Sequence, residues 1–280
     1  MTSFEKIDYS TDEFCRFYDE LPLWSAPFGL LLLAHVPLRS GAKILDVGAG
    51  SGFLSIELAQ RCGASSEIVA VDPWGAAIRR LQEKTASLGL TNIRLVESTI
   101  ESAGLPPDSF DLVVSNLGIN NFEDPAAALA ECYRVLKPGG KLLMTTNTRG
   151  HMAEFYAVYR SVLHDLELPE AAQALEEHVG HRPTEESLAG TLQEAGFQVE
   201  NQFHDSFVMR FADGSALLQH YFIRMAFLPG WLGVCPEDRA EEVFAILEKR
   251  LNALASERGD LSLSIPMTCV QLSHSPALRV

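Results

Sequence analysis

The stretch Ile44-Leu-Asp-Val-Gly-Ala-Gly-Ser-Gly52 joins an aliphatic run to three closely spaced glycines. The aliphatic part is typical of a buried strand, and the glycines let the backbone turn sharply and approach a ligand closely. Because a helical pattern starts at Gly52, the loop lies between a strand and the exposed N–H groups of a helix N-terminus. This arrangement predicts a loop that binds a nucleotide-like small molecule.

The spacing of the glycines distinguishes this loop from two kinds of phosphate-binding loop. The nicotinamide and flavin fingerprint, counted from Gly48 and Gly50, requires a third glycine where the chain has Phe53. No Lys-Ser or Lys-Thr pair follows the glycines, which excludes a P-loop. Asp46, directly before the loop, is an unfavourable neighbour for a pyrophosphate and suits a cationic ligand such as a sulfonium amino acid.

Short aliphatic runs alternate with helical stretches from about residue 43 to residue 147, a pattern that predicts βαβ units and a parallel sheet. The predicted strands are Lys43–Val47, Ile68–Val71, Ile93–Val96, Asp111–Val114 and Lys141–Thr145. The predicted helices between them are Gly52–Cys62, Trp74–Leu88 and Asp124–Leu136. Lys137-Pro-Gly-Gly140 is expected to end the third helix and turn the chain into the fifth strand.

Longer helices and isolated strands follow residue 147. Helices are predicted at Met152–Leu166, Pro169–His178, Thr184–Ala195 and Glu237–Ala255. Strands are predicted at Gln198–Phe203 and Ser262–Leu272. The apolar run Phe28–Val36 is too short to span a bilayer and is expected to form a buried helix or a lid.

The composition of the 280-residue chain narrows its partners and its compartment. A formal net charge of −15 repels phosphate backbones, so nucleic acid is not expected as a partner. The 5 cysteines are odd in number and scattered, which suits a reducing compartment. With no basic leader and no membrane span in the sequence, a cytoplasmic location without membrane attachment is expected.

A carboxylate follows the second predicted strand, in Val71-Asp72-Pro73-Trp74, about twenty residues past the loop. At this place a carboxylate can accept both hydroxyls of an adenosine ribose. An isolated Asp at a strand end is more often a helix N-cap or a turn former. Because Asp72 comes after this particular loop, we favour ribose binding.

Four motifs occur in the order and spacing of one family: Ile44–Gly52, Val71-Asp72, Pro107-Asp-Ser-Phe-Asp111 and Arg134-Val-Leu-Lys-Pro-Gly-Gly140. Through them residues 40–147 resemble the core of class I S-adenosylmethionine-dependent methyltransferases, specifically the UbiE-like small-molecule subgroup. The resemblance implies an α/β fold with a Rossmann-like seven-stranded sheet and helices on both faces. It also implies S-adenosylmethionine as the cofactor and S-adenosylhomocysteine as the product.

The resemblance further assigns cofactor contacts. In such enzymes the glycine loop passes beneath the methionine and ribose, an acidic residue takes the ribose hydroxyls, and its neighbours lie beside the adenine. The residues at these places are Asp46, Gly48, Ala49, Gly50, Gly52, Asp72, Pro73 and Trp74.

Two further places in the family pattern complete the expected cofactor site. The family usually has an Asp that contacts the adenine after the third strand, whereas this chain has Thr99 and Ile100, so a hydroxyl or backbone contact is expected there. Asn116 and Leu117, after the fourth strand, are expected beside the methyl group.

We expect a single methyltransferase domain over residues 1–280, with segments appended to a core. Its parts are an N-terminal helical cap (1–39), the cofactor-binding core (40–147), a helical insertion (148–183), a continuation of the core (184–206), an insertion or lid (207–260), and a final strand and tail (261–280).

Methyl transfer from a sulfonium is an in-line displacement, and alignment supplies much of its catalysis. A general base is needed only if the acceptor loses a proton, and the candidates are His35, His151 and His220 in the predicted cap and insertions. Each histidine alone is more often a packing or surface residue. His178 and His181 could share a helix face, but without a third ligand nearby no metal is expected.

The acceptor side is less defined. Tyr18 and Trp24 are candidates for an apolar lid that excludes water. Asn120 and Asn121 are equally interpretable as acceptor contacts or as turn formers. The segment after the fourth strand lacks the Asn-Pro-Pro-Tyr motif of methyltransferases that modify exocyclic amines, which together with the acidic charge favours a small-molecule acceptor.

Two other functions stay open at this point. A non-catalytic S-adenosylmethionine sensor is conceivable because no catalytic base can be identified. A nicotinamide-dependent oxidoreductase shares the fold logic and is opposed by Phe53. The acceptor atom and the oligomeric state do not follow from the sequence.

Overall fold

The chain divides into two compact units in a computed structural model that describes residues 8–20 and 23–274. The core unit comprises the described residues within 8–146, 184–205 and 267–274. The insertion unit comprises residues 147–183 and 206–266. The organisation as one domain with a cap and two insertions stays a prediction.

Helices and strands follow in the expected order. The strands are β1 (Lys43–Val47), β2 (Glu67–Asp72), β3 (Ile93–Glu97), β4 (Phe110–Asn116), β5 (Leu136–Asn147), β6 (Gln198–Phe211) and β7 (Leu261–Ser273). The first eight helices are α1 (Asp12–Glu20), α2 (Ser25–His35), α3 (Phe53–Cys62), α4 (Gly75–Leu88), α5 (Pro125–Val135), α6 (Ala153–Asp165), α7 (Pro169–Gly180) and α8 (Glu185–Glu194). The last four are α9 (Gly214–Gln219), α10 (Tyr221–Ala226), α11 (Leu228–Leu232) and α12 (Ala240–Arg258).

The strands form one seven-stranded sheet in the order β3-β2-β1-β4-β5-β7-β6. β1 runs parallel to both β2 and β4, so the strand order reverses between β1 and β4. In open α/β sheets, ligands bind outside the carboxyl ends of the strands at such a switch point. The prediction of a Rossmann-like seven-stranded sheet flanked by helices is confirmed.

Alternate residues of the central strands enter two separate cores, because successive side chains of a strand point to opposite faces. Ile44 packs with Leu32 of α2 and Leu58 of α3 in one cluster. The next residue, Leu45, packs with Leu129 of α5 and Leu192 of α8 in the other. Both faces are therefore buried, which is why these strands are nearly continuous in aliphatic residues.

Two strands are longer than predicted. β5 begins at Leu136 rather than at Lys141, because Leu136 pairs with Phe110 and the residues between form an irregularity in the register of β4 and β5. β6 continues from the predicted end at Phe203 to Phe211. It is the last strand in the sheet order, and a partly exposed edge strand tolerates the polar residues 204–206 that suggested a strand end.

The insertion unit has its own aromatic core. Trp231 is fully buried and donates a hydrogen bond from Nε1 to the Tyr156 hydroxyl at 3.1 Å. The Tyr159 hydroxyl donates to the Trp231 carbonyl at 2.8 Å, and Phe155 stacks on the Trp231 ring at a centroid distance of 3.9 Å. Trp231 is therefore a core residue of this unit.

Within residues 8–20 and 23–274, no helix combines the length and apolar character needed to cross a membrane.

Candidate functional site

The glycine loop between β1 and α3 adopts a backbone that L-residues rarely take. Gly48, Gly50 and Gly52 have φ of +72°, +53° and +91°. A Cβ on Gly52 would lie 2.0 Å from Cδ1 of Leu81 in α4, so this position requires glycine for space as well as for conformation. Gly48, Ala49 and Gly50 stay partly exposed, which leaves the loop backbone accessible to a ligand.

Asp72, at the carboxyl end of β2, holds this loop. Its Oδ2 accepts the Gly50 N–H at 2.7 Å, and its Oδ1 accepts the Trp74 N–H at 2.8 Å. Burial raises the pKa of Asp72, against the opposing effect of these two bonds. A carboxylate oxygen can accept more than one hydrogen bond, so each retains capacity for a ribose hydroxyl.

Asp46 lies beneath the loop at the end of β1. It is 1% exposed, and its Oδ2 accepts a hydrogen bond from the Ser55 hydroxyl of α3 at 2.6 Å. Burial raises the pKa of Asp46 to about 7; the Ser55 bond opposes this rise, and the charge of Asp72 adds to it. When they are ionised, the two carboxyl groups give the site a negative charge, which suits a cationic ligand.

We expect the stability of Asp46→Asn relative to that of the native chain to increase as the pH rises from 4 to 7. The folded pKa of about 7 exceeds the ordinary 3.8, so ionisation of Asp46 opposes folding; this cost is absent below pH 4 and complete above pH 7. The difference in unfolding free energy should grow by up to about 4 kcal/mol, measured by urea unfolding at several pH values.

Asp111→Asn is the matched control for that series. Despite partial burial, the Lys137 ammonium and the Lys43 backbone N–H hold the pKa of Asp111 below its usual range. Its contribution therefore titrates at lower pH, and the stability difference for Asp111→Asn should stay flat from pH 4.5 to 7.5. If the stability difference for Asp46→Asn also stays flat over this pH range, the raised pKa assigned to the buried Asp46 carboxyl is wrong.

The end of β4 closes against the end of β1. The Ser115 hydroxyl donates to the Val47 carbonyl at 2.7 Å. A Cβ on Gly118 would lie 2.3 Å from Ser115 Oγ, and a Cβ on Gly48 would lie 3.2 Å from the Gly118 Cα. The glycine loop and the segment after β4 therefore pack backbone against backbone at the switch point of the sheet.

Asn116 connects that segment to β5 and α2. Its Oδ1 accepts from the Thr145 hydroxyl at 2.7 Å, and its Nδ2 donates to the Ser25 carbonyl at 3.0 Å. α2 packs closely here, since a Cβ on Gly29 would lie 2.3 Å from the Phe53 ring and 3.4 Å from Asn116 Nδ2. The predicted contact residue is thus held in a fixed orientation beside the glycine loop.

The other candidates after β4 differ in their burial and their hydrogen bonds. Leu117 is buried with a φ of +63°, and its N–H donates to Thr145. Asn120 accepts from the Thr146 hydroxyl at 2.7 Å, whereas Asn121 is exposed in the short 3-10 helix that follows β4.

The two residues proposed for the adenine after β3 have different surroundings. Thr99 is exposed. The Ile100 side chain belongs to the hydrophobic core, which leaves its backbone for a ligand contact.

Helix α1 lies over the Trp74 end of the site. The rings of Phe14 and Tyr18 lie 6.0 Å and 5.4 Å from the Trp74 ring, and Trp74 Nε1 donates to the Tyr9 carbonyl at 2.8 Å. Burial raises the pKa of the Tyr18 hydroxyl, and the charge of Asp72 adds to this effect. The structure thus places Tyr18, predicted as an acceptor contact, beside the residues expected to hold adenosine.

Asp19 fastens α1 to the rest of the site. Its carboxylate accepts from Arg80 at 2.9 Å and Lys84 at 2.7 Å, both in α4, and from the Ser51 hydroxyl in the glycine loop. Although burial alone would raise it, these bonds hold the pKa of Asp19 below its usual range. The Asp19 side chain is only 11% exposed, so these ion pairs are screened less than surface pairs.

We expect Asp19→Asn to loosen α1 without unfolding the core. The variant loses the charge that two cations and the loop hydroxyl share, so hydrogen–deuterium exchange over residues 12–20 should accelerate about tenfold or more. Arg16→Gln is the control, since its pair with Glu83 is largely exposed and such pairs contribute little. Equal exchange in both variants would show that Asp19 is not the anchor.

The predicted bases and the remaining lid residue lie in different places. His35 stacks on Phe203 in the core unit, with ring centroids 3.4 Å apart. His151 and His220 belong to the insertion unit, and His220 packs edge-on against Phe211. Trp24 packs against Phe28 at a centroid distance of 5.8 Å. The catalytic and acceptor-binding roles of these residues stay predictions.

The residues present fit S-adenosylmethionine. The loop offers accessible backbone, Asp72 retains acceptor capacity, and the Trp74 indole provides an aromatic face, while the buried Asp46 carboxyl adds negative potential for a sulfonium and an ammonium group. Pro73 is exposed beside them.

The supporting residues were not identified from the sequence. Ser55, Ser115, Gly118, Thr145 and Asp19 hold the site from other elements. Ser115 and Gly118 lie within the segment after the fourth predicted strand, so local sequence could have suggested these two.

Comparisons with known proteins agree with this geometry. A family model described as a methyltransferase domain matches residues 38–196. The chain is 28% identical over 172 residues to the ubiquinone/menaquinone biosynthesis C-methyltransferase UbiE of Marinomonas sp. (strain MWYL1), covering 58% of this chain and 68% of that protein. It is 29% identical over 178 residues to the UbiE protein of Pectobacterium carotovorum subsp. carotovorum (strain PC1), covering 60% and 70%.

A solved structure shows the same fold. A SAM-dependent methyltransferase from Aquifex aeolicus superposes with a TM-score of 0.52 at 22% identity, covering 70% of this chain and 92% of that one. The family match spans more than half of the chain and contains the glycine loop, Asp72 and the segment after β4. The chain therefore belongs to the methyltransferase domain family and is a UbiE-like class I S-adenosylmethionine-dependent methyltransferase.

Proposed function

We propose that this enzyme methylates a carbon atom of a small aromatic molecule related to ubiquinone and menaquinone precursors. The UbiE relatives are named as C-methyltransferases of that biosynthesis, and the methyltransferase family model covers residues 38–196, which include the cofactor site. The single observation that carries the proposal is the negative site at the carboxyl ends of β1 and β2, where Asp72 holds the glycine loop through Gly50.

The chain's own residues bind and orient the cofactor, which when bound supplies an electrophilic methyl group on a sulfonium. Asp72 would accept the ribose hydroxyls, and the backbone from Gly48 to Gly50 would follow the ribose and methionine. Trp74, covered by Tyr18, would lie beside the adenine. Asp46 contributes negative potential, and Thr99 and Ile100 offer a hydroxyl and backbone groups at the adenine edge. The distances and burial described above support these roles.

Catalysis in this account comes from alignment and from exclusion of water. Asn116 and Leu117 would lie beside the methyl group of the bound cofactor, and Asn116 is fixed by its bonds to Thr145 and Ser25. Trp24, Asn120 and Asn121 remain candidates for the acceptor side. When the acceptor is an aromatic carbon activated by a ring oxygen, a base is needed only to remove a proton. His35, His151 and His220 remain the candidates for this base.

The cellular setting belongs to the same proposal. All five cysteines, at 15, 62, 132, 235 and 269, are buried free thiols, which suits a reducing compartment, and we place the enzyme in the cytoplasm. The net charge of −15 supports a small-molecule acceptor rather than nucleic acid.

Transfer of a labelled methyl group tests this function. The enzyme is incubated with methyl-labelled S-adenosylmethionine and, in separate reactions, with reduced aromatic precursors of ubiquinone and menaquinone or with a whole metabolite extract. The expected result is S-adenosylhomocysteine together with an aromatic product that carries the label on carbon. Label on oxygen or nitrogen would overturn C-methylation, and cofactor binding without any labelled product would favour the sensor interpretation.

A further inference from the structure

The insertion unit contains a cavity of about 340 Å³ between the turn after β5, α6 and α7. This volume lies at the lower end of the range of small-molecule sites. The residues that line it are Arg149, Gly150, His151, Ala153, Tyr156, Arg160, Glu176, Val179 and Gly180. All of them lie within residues 147–183, so the cavity belongs to the insertion unit alone.

The turn that forms one wall of the cavity contains one residue in a costly conformation. Met152, which is fully buried, has a φ of +51°, whereas the φ of +108° at Gly150 is open to glycine. The Met152 N–H donates to the Ser264 carbonyl at 2.8 Å, and the Arg149 N–H donates to the Pro183 carbonyl at 3.0 Å. Backbone strain that neighbouring bonds maintain is more frequent at ligand sites than elsewhere.

The charges at the cavity are mostly positive, although the whole chain carries −15. Arg160 is ion-paired to Glu176, and the Arg149 guanidinium donates to the Gly180 carbonyl at 3.3 Å. Arg182 lies close enough to His151 and Tyr156 to influence the pKa values of both. Among the described residues, no carboxylate pairs with the Arg182 or Arg149 guanidinium, so two positive charges have no ionic partner.

His151 adds an unused polar atom to this wall. Its side chain is 3% exposed, and its Nδ1 has no hydrogen-bond partner among the described residues. A buried polar atom without a partner is costly unless a ligand or water satisfies it. Burial lowers the pKa of His151 to about 4, with the nearby Arg182 charge acting in the same direction, so the imidazole is neutral at neutral pH.

We propose that this cavity is a binding site for a small molecule that carries a phosphate or carboxylate group. The anion pairs with the guanidinium group of Arg149, which lines the cavity, and a hydroxyl of the ligand donates to Nδ1 of His151. Ala153, the first residue of α6, also lines the cavity, so backbone N–H groups of the first helical turn contribute positive potential there.

Titration with inorganic phosphate at constant ionic strength tests the site. Binding is followed through the NMR ring resonances of His151 in a histidine-labelled sample. The assignment comes from the resonances that disappear in His151→Gln. We expect saturable shifts in the native chain and about tenfold weaker binding in Arg149→Gln, which loses one charge-assisted hydrogen bond. Acetate in place of phosphate distinguishes a carboxylate site from a phosphate site.

Arg250→Gln is the matched control in the same unit. Arg250 pairs with Asp165 at 2.6 Å and does not line the cavity, so phosphate binding should be unchanged. Thermal unfolding of Arg149→Gln should show little loss of stability, because an exposed guanidinium that pairs with no described carboxylate is removed. Absence of saturable shifts in the native chain, or equal affinity in the native chain and Arg149→Gln, would overturn the proposal and leave the cofactor assignments unaffected.

Discussion

Asp72→Ala should weaken S-adenosylmethionine binding by about 10- to 100-fold. Two ribose hydroxyls lose a charged acceptor, and hydrogen bonds to charged groups contribute roughly 1.5–3 kcal/mol. The same change removes the acceptor for the Gly50 and Trp74 N–H groups, at 2.7 and 2.8 Å, which position the loop. We therefore expect the upper half of that range in calorimetric titrations of folded protein.

Glu67→Gln provides the control from the opposite end of the same strand. Glu67 begins β2, is exposed and pairs loosely with Lys43 at 3.6 Å. Its removal alters the charge by the same amount as Asp72→Ala and should leave the cofactor affinity unchanged. If both variants bind equally well, or if folded Asp72→Ala binds as tightly as the native chain, the ribose assignment is wrong.

Gly52→Ala should destabilise the fold by about 2–5 kcal/mol. Left-handed backbone costs an L-residue roughly 1–2 kcal/mol, and overpacking a core costs about 1–3 kcal/mol more. Here the backbone has a φ of +91°, and the new methyl group would lie 2.0 Å from Cδ1 of the fully buried Leu81. Urea unfolding monitored by circular dichroism measures the change.

Two further variants separate strain from clash. Gly89 ends α4 with a φ of +66°, and a Cβ there meets no atom within 4 Å, so Gly89→Ala should cost only about 1–2 kcal/mol. In a Leu81→Ala background the clash at Gly52 disappears, and the cost of Gly52→Ala should fall to the Gly89 value. Equal costs for Gly52→Ala and Gly89→Ala in the native background would refute the steric part of the account.

The core of the fold was predictable because its signals are local. β1 has the predicted bounds Lys43–Val47, and α3 and α4 each begin one residue after the predicted start, since aliphatic runs buried on both faces and glycine turns identify them directly. β6 was less predictable, because an edge strand lacks a continuous apolar run. Its polar residues 204–206 resemble a turn when only the sequence is considered.

The residues of the site also differ in whether local sequence signals identify them. The loop glycines and Asp72 have positions that motif spacing identifies, and the structure brings them together through the Gly50 N–H. Tyr18 and Asp19 depend on where α1 packs, which follows from contacts between residues more than thirty positions apart. Such contacts leave no periodic mark in the sequence, so the position of Tyr18 beside Trp74 could not be predicted, and its role at the acceptor stays a prediction.

Calorimetric titration of the native chain with S-adenosylmethionine, and separately with NADH, tests the central claim most directly. The negative site formed by Asp46 and Asp72, with Phe53 in place of a third fingerprint glycine, predicts saturable binding of S-adenosylmethionine and none of NADH. Saturable NADH binding without binding of S-adenosylmethionine would contradict the account.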